Sequence, residues 1–157
     1  MAGNGGAHLQ SLADQLAEEL GAPVRRWIDG LVEGGAPIPA SLAESEAAGI
    51  LVRMVACSEY AAAALARDWS WFCAAIADGS LGRPLESSPL STAIEAIGGD
   101  EPAPGDVASA LRTARNRGLL HILWRITAAT DSVWGSLASL SALADALIAA
   151  AMTQVGS

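Results

Sequence analysis

Apolar positions repeat at helical spacing along most of this chain, and the clearest run covers residues 106–155. In its first half Val107, Leu111, Ala114, Gly118, Ile122 and Ile126 recur at steps of three and four, the spacing of a buried helical stripe. In its second half Val133, Leu137, Leu140, Ala144, Leu147 and Ala151 do the same. A short polar break at Thr130-Asp131 separates them. Asp106 and Asp131 each stand just ahead of a stripe, where a carboxylate accepts hydrogen bonds from the free N–H groups of a first turn. The pattern predicts two amphipathic helices, 106–129 and 131–155, packed against each other in opposite directions.

Earlier in the chain, residues 1–6 are glycine-rich and read as a disordered tail. Leu9, Leu12, Leu16 and Leu20 predict a helix over 7–20 that Gly21 ends, and Pro23 opens a short one through Leu31 carrying Trp27. Gly34-Gly35-Ala36-Pro37 breaks the chain. Ser41 and Glu44 have capping-box spacing ahead of a long pattern in which Ile50, Met54, Cys57, Ala61 and Leu65 share a face. A bend or stop is expected at Arg67-Asp68, followed by a helix with Trp69, Trp71, Phe72 and Ile76 that Gly79 closes. Residues 80–105, with Gly82, Pro84, Pro89, Pro102 and Pro104, read as a connector holding one short helix near 91–97. The expected fold is all-α, a helical bundle of five to seven helices with a long antiparallel C-terminal pair, in one domain over 7–157.

Length, charge and local composition sharpen this. At 157 residues the chain is one domain in size and large enough to bury roughly two thirds of its unfolded surface. Its net charge of −8 disfavours a nucleic-acid partner, because phosphate neutralisation needs a basic face. The start, MAGNGGAHLQ, has no basic segment leading into an apolar one, so no export signal is visible and a cytoplasmic location is expected. The most apolar window, 137–152, is interrupted by Ser139, Ser141 and Asp145, and it reads as a core helix rather than a span of ~20 residues. No membrane partner follows from it.

Chemistry is harder to find. Cys57 and Cys73 lie on apolar helical faces and read as reduced core thiols. His8 and His121 stand far apart with no metal-binding spacing. Neither Gly34-Gly35 nor Gly98-Gly99 has a phosphate-loop frame, and Asp100-Glu101 reads as a solvated turn. A Cys73–His121 nucleophilic pair is the weakest reading. The sharper cluster is Arg117, His121 and Arg125, four apart on one helix face, with Arg112 and Arg115 a turn earlier. Such arginines either pair with carboxylates of the same chain, Glu59 or Asp145 being candidates, or form a contact surface.

Three stretches resemble a known family. Ser58-Glu59-Tyr60 with Leu65, Arg67 and Trp71 is similar to a Ser-[DE]-[FY]…Leu-x-[RH] helical segment. Leu111-Arg112-x-x-Arg115-x-Arg117, continued by Leu120-His121-Ile122-Leu123-Trp124-Arg125, is similar to an arginine-rich run ending in Ala-Trp-Arg. Leu140-Ser141-x-Leu143-Ala144-Asp145-Ala146-Leu147-Ile148 is similar to a Leu-Ser-x-Leu-Ala-[DE] helix. In this order they resemble the N-terminal helical region of the bacterial bifunctional glutamine-synthetase adenylyltransferase/adenylyl-removing enzyme. Gly118 departs from the pattern, standing where an acidic or apolar residue is usual.

The resemblance implies a part in AMP transfer to and removal from glutamine synthetase, in nitrogen regulation, under a PII-type signalling protein. The family's nucleotidyltransferase signature, Gly-x-Gly-x-Leu-Gly-x-x-Glu-Leu-Asn leading to Ser-Asp-x-Asp, does not occur in these 157 residues. By resemblance, then, the ATP and Mg²⁺ of the whole enzyme have no site in this chain. The chain by itself is expected to be inactive. Arg112, Arg115, Arg117, His121, Trp124 and Arg125 would form the surface that holds the absent catalytic domain. Without that domain the chain is expected to self-associate. The alternative is a stand-alone helical interaction module, dimerising through Trp27, Trp69 and Trp71.

Overall fold

Helix-favouring alanine and leucine dominate the chain, and the computed structural model turns them into six α-helices and one short 3₁₀ helix among the residues it describes, 4–39, 42, 46–85 and 104–155. The helices are α1 (Asn4–Ala13), α2 (Glu18–Glu33), α3 (Glu46–Cys57), α4 (Glu59–Ala77), α5 (Pro104–Thr127) and α6 (Val133–Val155). No strand occurs among the described residues. The all-α expectation holds. Backbone contacts fall into two compact units, Met1–Gly82 and Arg83–Ser157, and the boundary lies inside the expected connector. The expected capping box at Ser41 and Glu44 and the helix near 91–97 lie outside the described residues.

In the first unit α3 is central. Ala48, Ile50, Leu51, Val52, Met54 and Val55 are all buried, so most of its circumference is covered, with α1, α2 and α4 packed around it. Leu9, Val24, Ile28 and Phe72 complete the core. Helix α1 begins at Asn4, within the stretch expected to be a tail. Gly5 is buried, and a Cβ there would stand 2.8 Å from Ile38 Cγ2. The first break falls at 14–17 rather than at Gly21. That glycine lies buried inside α2, where a Cβ would come within 2.7 Å of the Ala13 carbonyl oxygen. Small size, not helix breaking, explains it. Arg25 holds the break by pairing with Asp14 at 3.1 Å and Glu18 at 2.8 Å.

Helix α2 ends in a Schellman motif. The Ala36 N–H donates to the Leu31 carbonyl, the Gly35 N–H donates to that of Val32, and Gly35 has φ +69°. The single long helix expected through residue 66 is two helices, because Ser58 breaks it. With φ −148° its Oγ accepts from the Ala61 N–H at 3.1 Å and caps α4. The break leaves Cys57 exposed, which corrects its reading as a core thiol. The bend at Asp68 is present (φ −110°, ψ 26°), and Gly79 (φ +72°) ends the segment.

The second unit is a helix hairpin. Contacts run from Gly118–Leu143 to Arg125–Asp131 as the sequence separation shrinks, so α5 and α6 are antiparallel as expected. Their shared core is Ala114, Ile122 and Leu143, with Leu85, Leu111, Leu119 and Leu147 against it. Gly118 makes the close approach, since a Cβ there would lie 2.6 Å from Leu143 Cδ1. That explains why a glycine departs from the family pattern. Helix α5 ends in a second Schellman motif, Thr130 N–H to Arg125 carbonyl and Ala129 N–H to Ile126 carbonyl, with Ala129 at φ +54°.

The stripe expected to be buried on α6 is buried only in part. Val133, Leu137, Leu140 and Ala144 are exposed, while Leu147 packs against the hairpin core, and the side turned to α5 otherwise carries Ser136, Leu143, Ala146 and Ala150. Val133–Thr153, 21 residues with mean hydropathy 1.5, is long and apolar enough to cross a membrane, and only 11% of its most apolar window is buried. The expected core helix is thus largely exposed: among the described residues of this unit, α5 covers one side of it. On α5, Ile126 is likewise about half exposed.

Candidate functional site

The arginine-rich helix α5 carries the six residues singled out from sequence, and the fold divides them by their place around its axis. Trp124, Arg125 and His121 are buried, at 6%, 7% and 9% exposure. Arg112 and Arg115 face water, and Arg117 is half buried. Arg125 and His121 hold the unit together through contacts of their own. Arg125 Nε stands 3.4 Å from Asp131 Oδ2, a pair almost wholly withdrawn from solvent. Asp131, expected to cap α6, instead serves Arg125 and accepts from the Ser132 N–H through Oδ1 at 2.9 Å. The cap is Ser132, whose Oγ accepts from the Gly135 N–H at 3.0 Å. Gly135 is required here, because a Cβ would overlap Asp131 Oδ1. Of the expected carboxylate partners, Asp145 is exposed on α6. Asp131, six positions on from Arg125, is the one the turn delivers.

His121 Nε2–H donates to the Arg83 carbonyl at 2.8 Å and ties the start of this unit to the middle of α5. Burial above all holds its pKa below the ordinary 6.5, opposed by that hydrogen bond and aided less strongly by the nearby Arg125 and Arg83 charges. His121 is a neutral structural donor. In the first unit, burial pushes the Cys73 thiol up to about 11, the opposite of what a nucleophile needs.

The tryptophans are equally engaged. Trp27 Nε1–H donates to the Ala62 carbonyl at 2.9 Å and Trp69 Nε1–H to that of Pro37 at 2.8 Å. The two rings meet edge to face at 5.7 Å, and Trp69 stacks on Phe72. They join helices within the unit, where Trp69 is buried and Trp27 half-buried. A shallow cleft between α1 and α2 is lined by Gly6, Gln10, Ile28, Asp29, Val32 and Glu33. Gln10 donates to Asp29 within it at 2.7 Å.

No group of three His, Cys, Asp or Glu that could hold a metal ion occurs among the described residues. Asp100-Glu101 lies outside them. What the unit offers is an exposed cationic strip, Arg112 and Arg115, beside an exposed apolar helix.

No curated protein and no solved structure matches this chain. A family model does match, that of the glutamate-ammonia ligase adenylyltransferases, over residues 48–156. The match takes in α3 to α6 and all three stretches that carry the resemblance. Because it covers more than half of the sequence in one collinear piece, the chain belongs to the glutamate-ammonia ligase adenylyltransferase family.

Proposed function

We propose that this chain is a helical platform of a glutamine-synthetase adenylyltransferase, which positions a nucleotidyltransferase domain and carries out no AMP transfer by itself. The observation behind this reading is the family match over 48–156. Two further features support it. The full Gly-x-Gly-x-Leu-Gly…Ser-Asp-x-Asp signature does not occur in the 157 residues, and Arg112 and Arg115 stand exposed on a helix whose other side is committed to the hairpin.

In this reading Arg112, Arg115 and Arg117 meet carboxylates of the catalytic domain, while His121, Trp124 and Arg125 keep α5 and α6 in register behind them. The catalytic domain supplies the ATP and Mg²⁺ chemistry. Glutamine synthetase and a PII-type signalling protein are the further partners, in the cytoplasm.

Incubating the purified chain with ATP, Mg²⁺ and glutamine synthetase should give no AMP-modified product, and sustained turnover overturns the reading. Mixed with a separately expressed nucleotidyltransferase domain of the same family, the chain should co-purify with it. Arg112→Glu with Arg115→Glu should weaken that association at least tenfold, equivalent to about 1.4 kcal/mol. No association at all would favour a stand-alone interaction module.

A further inference from the structure

Helix α6 has three sides. Ser136, Leu143, Ala146 and Ala150 turn toward α5, and Ala138, Asp145 and Ala149 form an outer, exposed edge. Between them runs the third side: Val133, Leu137, Leu140, Ala144, Leu147 and Ala151, at alternating steps of four and three, with Leu147 on its border and also packed against the hairpin core. That alternation is the seam spacing of a coiled coil. Four of the six are exposed, and Trp134, Ile148 and Met152 flank them at 81%, 59% and 70% exposure. Nothing on this seam is charged.

We propose that the seam is a homodimer interface, in which α6 of one molecule packs against α6 of a second copy. The spacing calls for a helix as occupant, since a 3–4 stripe fits the ridges of another helix. The area is sufficient. The exposed apolar side chains present on the order of 700 Å² per copy, close to the ~800 Å² each partner gives to a standard interface. The charge pattern selects an uncharged partner. The seam has no cation for lipid headgroups or an acidic protein, and Asp145 on the outer edge is the only charged side chain of α6. A second α6 matches it without stranding a charge, and a two-fold contact between like surfaces is the commonest route to a dimer. Ser141 and Ala144, near the middle of the helix, allow the two backbones to approach. This interface is independent of the arginine strip, so the failure of either proposal leaves the other standing.

Sedimentation of the intact chain over about 1–100 µM tests it. The mass should rise from 15.9 kDa to twice that value, and more readily with added salt, which screens the −8 charge of each copy. Leu140→Glu should raise the dissociation constant at least a hundredfold with the helical circular dichroism unchanged. Ala149→Glu, on the outer edge, should dimerise like the unmodified chain. Hydrogen exchange on the unmodified chain gives a readout free of variants: amides over 133–152 should slow with concentration. A monomer at the highest concentration overturns the proposal, as does protection of 133–152 that is independent of concentration. So does Leu140→Glu dimerising undiminished, which would place the contact elsewhere. Monomer that instead floats with lipid vesicles would make α6 a membrane-binding helix and also overturn it.

Discussion

His121 shows how the environment of one residue turns a suspected functional group into a structural one. Its spacing from Arg117 and Arg125 suggested a contact surface, yet the ring is buried and donates to the Arg83 carbonyl. Because its pKa is held below 6.5 in the folded chain, the unfolded chain takes up the proton first as pH falls. Stability from this residue is therefore complete above pH 6.5 and declines as pH drops through and below that value. Thermal unfolding followed from pH 7.5 to pH 5 should show the melting temperature of the second unit falling. His121→Gln, which keeps a donor but does not titrate, should flatten that dependence. An unchanged slope in the variant would assign the acid sensitivity to other groups.

At the scale of the element, the α5–α6 turn packs several devices into a few residues. The Schellman closure needs a left-handed residue at Ala129, the Arg125–Asp131 pair fixes the direction of the exit, and Ser132 starts α6. An alanine at φ +54° carries strain of roughly 1 kcal/mol that glycine does not. Ala129→Gly should stabilise the hairpin by about that amount, seen as a higher urea midpoint with an unchanged m value. A lower midpoint would mean that the methyl group contributes more by packing than it costs in backbone strain.

At the scale of the whole molecule, each unit has its own core, a helix wrapped on most sides in the first and a two-helix seam in the second. Gly118→Val forces a side chain into Leu143 and should destabilise the second unit by about 2 kcal/mol. The transition of the first unit should stay where it is. Peptide-resolved hydrogen exchange along a urea series separates the two: loss of protection over 107–152 should shift, and loss over 48–76 should not. If both shift together, the two cores unfold as one cooperative body.

What the sequence determined by itself was local and periodic. The bend at Asp68, the glycine stops at Gly35 and Gly79, the polar break at Thr130-Asp131, the antiparallel pair and the family all lie in short-range spacing, because caps, turns and helical stripes are set by residues within four positions of one another. What needed tertiary structure was which stripe found a partner. On α6 two apolar stripes compete, and the sequence ranks the leucine-rich one first. The fold buries the other, because Gly118 on α5 admits Leu143 while Asp131 holds α6 at the angle that presents it. Gly5 and Gly21 follow the same logic, reading as loop in the sequence and serving as contact points in the fold. Helix formation is decided within a few turns of chain. The choice of face is decided by what lies across from it, at a separation that periodicity cannot sense.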